Sequence, residues 1–146
     1  MIDEQDALGR LRNVLFGVAA AGFAGTALDL ALLAHYEDPL QFAPFVIVGV
    51  SLIAIAGHAV SRSRVSLRLM RLAMAVAIAG AATGVALHYR GSMEFQLEVN
   101  PSLGGLDLLA LVMTSKAPPT MAPMNLAILG LVGLASTYRE ARSVRL

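Results

Sequence analysis

The chain alternates between long apolar runs and short polar connections. Four runs, at about 12–35, 44–61, 67–88 and 121–138, approach or exceed the ~20 mainly apolar residues that a spanning helix needs. A fifth run, Leu106 to Met113, is too short to span and is broken by Asp107. It lies between a capping residue, Ser102, and the helix-stopping pair Pro118-Pro119, so it predicts a helix lying in or on the membrane interface. The pattern predicts an all-α integral membrane protein: a four-transmembrane-helix bundle occupying 1–146 as one domain, with an extra interfacial helix between its third and fourth spans. The first run could instead be a signal peptide. It is longer than the ~7–15-residue core of such peptides and its leader, "MIDEQD", is acidic rather than basic, which favours a retained span.

The polar connections repeat a phrase. "HYEDPLQF" at 35–42 and "HYRGSMEF" at 88–95 share His-Tyr, three variable residues, Leu or Met, Gln or Glu, and Phe. After the first phrase come Ala43-Pro44, a span and Arg62; after the second, beyond an insertion, come Ala122-Pro123, a span and Arg139. This predicts a two-helix hairpin duplicated in parallel, repeat A over about 12–62 and repeat B over about 65–139, with the insertion at 96–121. An offset of 53 residues also maps Ala20, Ala24, Ala27, Ala31 and His35 onto Ala73, Ala77, Gly80, Gly84 and His88. Each set lies on one helical face, and small residues let membrane helices approach closely. If the two stripes face each other, His35 and His88 meet at one end of the bundle.

Composition agrees with the pattern: 57% of residues are hydrophobic, 14% are charged and the mean hydropathy is +0.69. The net charge of +1 is spread over short segments without a basic stripe, which argues against nucleic acid as a partner. Nine of the eleven basic residues lie in the N-terminal arm, the 62–71 connection and the C-terminal tail, leaving Arg90 and Lys116 for the other two connections. The positive-inside bias then places both termini in the cytoplasm and both His-Tyr phrases outside. Without cysteine the chain has no disulfide, thiol relay or thiolate metal site.

Candidate chemistry is sparse. Neutral imidazole is a common metal ligand and a proton carrier, and Glu37, Asp38, Glu94 and Glu98 lie close to the phrases. His35, His88 and Glu94 form a candidate set for a divalent metal such as zinc or copper. A haem between the two imidazoles, or a quinone, is a second reading. A third makes each His-Tyr an interfacial anchor without a ligand. Asp29 is costly in a span and calls for a polar environment; with Thr83 and Asn125 it could form a buried polar cluster below the histidines. His58, near Arg62, reads as interfacial. Gly130 and Gly133 could serve contacts between copies.

"LHYRGSMEFQLEVNPSLGG" together with "TMAPMNLAILGLVGLASTYRE" resembles a group of small bacterial four-helix inner-membrane proteins without an assigned activity. The resemblance covers roughly the C-terminal half; it implies an inner-membrane location and transfers no functional residue. No nucleophile, base and orienting group can be assembled from three histidines at separate depths, so no catalytic residue is assigned and an enzyme is the least supported class. Two readings lead. One is a non-enzymatic accessory or binding protein with an outward His/acidic site for a metal or cofactor. The other is a small oligomeric transporter or channel component using Asp29 and Asn125 in a polar cavity. Either has the lipid bilayer as partner and allows a homo-oligomer or a larger membrane complex.

Overall fold

A computed structural model describes residues 4–140. They are almost entirely helical: α1 (Glu4–Leu32), a single 3-10 turn (Pro39–Gln41), α2 (Phe42–Ser61), α3 (Arg64–Val99), α4 (Gly105–Met113) and α5 (Met121–Ser136). The α1 helix, the segment Pro39–Ser61 containing α2, and α3 are each long and apolar enough to cross a membrane, whereas α5, with 16 residues, is shorter.

Local chemistry explains where these helices stop and start. The α1 helix closes in a Schellman motif: Ala34 takes a left-handed φ of 50°, its N–H donates to the Ala31 carbonyl, and the His35 N–H donates to the Leu30 carbonyl. Pro39 prevents continuation, and Asp38 and Gln41 then cap the 3-10 turn from both sides. The second phrase contains no proline, and α3 runs through it to Val99, well past the expected end near residue 88. Arg90 Nε donates to Glu94 Oε1 at 2.8 Å across one turn, which supports this continuation. The two phrases are therefore alike in sequence and different in backbone. At the other end of α3, Ser63 and Ser66 cap reciprocally, so the helix begins at Arg64 rather than 67, and only Arg62 and Ser63 connect it to α2.

Extensive packing joins α1 to α2 and α5, and α3 to α2 and α5. Phe23, Val48, Met70 and Met74 fill the centre with no or almost no exposure. The closest seam is α3 with α5. A Cβ at Gly130 would stand 2.8 Å from the Met74 carbonyl oxygen, and one at Gly133 would overlap the Met74 sulfur. These two glycines therefore sit inside the fold and leave no surface for contacts between copies. The small-residue stripes do not form one α1–α3 seam either. Ala24 and Ala31 are exposed, Gly80 faces Ile47 of α2, and Gly84 faces Pro123 of α5. The α4 helix forms over the short apolar run expected to be helical, packs on α3 and buries Leu108 and Val112.

Candidate functional site

Although their stripes part, His35 and His88 come together. Their ring centroids are 6.1 Å apart, with planes 22° from parallel. The Schellman turn fixes the backbone of His35, and the uninterrupted α3 fixes that of His88. Residues 53 positions apart thus meet at the end of the bundle that carries the connections poor in basic residues.

Glu94 does not join them. Six residues beyond His88 on a continuous helix is about 240° around the axis, and its carboxylate is held by exposed Arg90. Asp38 is committed to its 3-10 cap. Among the described residues, no three His, Asp or Glu side chains converge as a metal site. The geometry is that of an imidazole pair with open positions around it.

The expected Asp29–Thr83–Asn125 cluster is replaced by a different contact. Asn125 Nδ2 donates to Thr26 Oγ1 at 2.9 Å, and the Thr26 hydroxyl donates to the Gly22 carbonyl at 2.9 Å, joining α5 to α1. Thr83 is exposed and donates to the Ala79 carbonyl of its own helix. Asp29 is also exposed: it lies three residues after Thr26, rotated about 60° away from it around the helix, which takes it from the buried side to the surface. It shares the outer surface of α1 with Gly17, Ala21 and Gly25, all exposed at intervals of four. A Cβ at Gly17 or Gly25 would meet nothing within 4 Å, so this face is unused within the chain.

A second polar cluster, at the opposite end, was not anticipated. His58 is fully buried; its Nδ1 lies 2.9 Å from Ser66 Oγ and its Nε2 lies 3.1 Å from Glu140 Oε1. The approach to Glu140 departs from hydrogen-bond geometry, leaving a close electrostatic contact. Arg62 Nη1 donates to the same carboxylate oxygen at 3.1 Å, and its guanidinium carbon stands 5.4 Å from the Phe16 ring centroid. Arg71 donates to the Thr137 hydroxyl and carbonyl, at 3.0 and 2.8 Å, and so caps the end of α5. This cluster ties the α2–α3 turn to the last turn of α5. Its groups are mutually engaged or buried, and it fits a structural clasp. The sequence signal was the spacing of four between His58 and Arg62, which puts both on one helical face. Glu140, 78 residues beyond Arg62, had no such marker.

No protein-family model, curated protein or solved structure matches this chain.

Proposed function

We propose that this is a small multi-pass inner-membrane binding protein, without catalytic machinery, whose outward end holds a zinc or copper ion between His35 and His88. The observation that carries the reading is the 6.1 Å approach of the two rings. From this separation, rotation of the two side chains would bring a nitrogen of each ring to about 2.0–2.1 Å from one shared ion, with water or a partner's group completing the coordination. A haem is the weaker reading, since its macrocycle would need a flat slot between the two helix ends. In this reading α5 is the fourth crossing, the two hairpins are copies of one ancestral unit, and both termini are cytoplasmic. Arg62, Arg64, Arg68 and Arg71, in the α2–α3 turn and the first turns of α3, support that orientation, and the resemblance of the C-terminal half supports the inner membrane.

Metal binding is tested on the purified chain by thermal unfolding with and without zinc or copper. An ion bound only by the folded state at 100 times its dissociation constant adds about 2.7 kcal/mol. His35→Ala and His88→Ala are each expected to abolish that gain, and the double substitution to add little, because both rings serve one ion. The gain should also shrink in acid, where protons compete for the imidazoles. An unchanged unfolding midpoint with both metals would leave the pair as interfacial anchors. Orientation is read separately: cysteines at Gly91 and Lys116 should react with an impermeant thiol reagent added outside intact cells, and cysteines at Ser61 and Ser143 should not. The reverse labelling would invert the topology.

The transporter reading keeps one specific support, the exposed position of Asp29 on α1. A carboxylate facing lipid is costly, so a polar path involving Asp29 would form between copies, with the Asn125 amide engaged by Thr26 within each bundle.

A further inference from the structure

An open groove of about 590 Å³ lies between α2 and α3, toward the end of the bundle away from the histidine pair. Val50, Ile53, Leu69 and Leu72 form apolar walls, and the small residues Ala54 and Gly57 leave the space between them. On α2 the lining runs from Val50 to Ser61, eleven residue steps or about 16 Å of helix. That is about half of a ~30 Å hydrocarbon core, the depth of one leaflet. The groove changes character at its end near the α2–α3 turn, where Ser61, Ser63 and Ser66 contribute to the lining. Ser63 and Ser66 are engaged in the helix cap, whereas the Ser61 hydroxyl has only a long, 3.4 Å contact to Ser63.

Arg68 flanks this mouth, adjacent on the helix surface to the lining residues Val65 and Leu72, at i−3 and i+4. Arg64 lies one turn earlier. Both are exposed and make no ion pair among the described residues, unlike Arg62, which is bound to Glu140. The arrangement combines a leaflet-deep apolar slot, hydroxyls at its mouth and, in the first turns of α3 beside it, two cations without an ion pair among the described residues. It is complementary to an amphiphile with a long apolar chain and a negative head.

We propose that the α2–α3 groove binds an anionic glycerophospholipid of the leaflet adjoining the α2–α3 turn. One acyl chain lies between the two helices, and the phosphate is met by Arg64, Arg68 and the Ser61 hydroxyl. The assignment is independent of the histidine pair and of any metal.

The test is native mass spectrometry of the full chain in non-ionic detergent, with phosphatidylglycerol and phosphatidylcholine of identical acyl chains as competing probes. Two arginines near a headgroup predict about tenfold or greater preference for the anionic lipid. Arg64→Gln with Arg68→Gln should bring the two lipids close to parity while chain retention persists. Gly57→Leu should reduce retention of both lipids: a Cβ there meets nothing within 4 Å, so the added side chain extends into open space. Circular dichroism and the unfolding midpoint of Gly57→Leu should match the parent, which separates loss of the ligand from loss of the fold. Equal retention of the two lipids by the parent would overturn the headgroup assignment. Full lipid retention by a folded Gly57→Leu would overturn the groove as the site. A parent dimer that this substitution dissociates, with no lipid bound, would assign the groove to a second copy instead.

Discussion

Gly130→Ala is expected to destabilise the protein by about 1–3 kcal/mol, the usual cost of forcing extra volume into a closed seam. The added methyl would meet the Met74 backbone carbonyl and Ile78 Cγ1, each at 2.8 Å, and a carbonyl in a helix cannot rotate away. Gly133→Ala should cost less, because its obstacle is the flexible Met74 side chain. Gly57→Ala should cost nothing or stabilise slightly, since its Cβ meets no neighbour and alanine favours helix. Unfolding in detergent should reproduce that order. If Gly130→Ala and Gly57→Ala behaved alike, the close α3–α5 approach would be wrong.

Arg62→Ala is expected to be more damaging than Glu140→Ala. The Glu140 side chain is only 10% exposed while that of Arg62 is 48% exposed. Removing the guanidinium takes a full positive charge from a nearly buried carboxylate, a change that costs about 3–5 kcal/mol in fully buried pairs and falls toward the lower value here because Arg62 reaches solvent. Removing the carboxylate instead frees an arginine that water can solvate, at about 1.5–3 kcal/mol for a lost charge-assisted hydrogen bond. The double substitution should cost less than the sum of the two. Unfolding midpoints of the three variants measure this asymmetry, and a larger loss for Glu140→Ala would reverse the assignment of the buried partner.

Apolar run length alone located all the principal helices, and the repeated His-Tyr phrase pointed to two residues that meet. What the sequence obscured was rotation about each helix axis. The α1 helix is apolar on nearly every side, so nothing distinguished Thr26 from Asp29 as the residue turned toward Asn125. The same ambiguity made the stripes look mutually facing, when Gly80 and Gly84 pack on Ile47 and Pro123. Run length also misjudged where α3 ends, because hydrophobicity stops near residue 88 while the helix continues on local contacts and the absence of proline. The clasp at the far end joins His58 and Arg62 to Glu140, a long-range pairing that no local pattern marks.

If the two histidines hold an ion as proposed, they would lose less on engaging it than a pair displayed on flexible loops. His35 hangs from a backbone pinned by the 2.9 Å bond to Leu30, and His88 from an unbroken helix. Only the side-chain torsions remain free at either residue, so the entropic cost of capture is confined to two rings. Such preorganisation leaves the depth of binding to ligand chemistry rather than to chain ordering, and a linker inserted between Leu33 and Tyr36 would forfeit it without removing either imidazole.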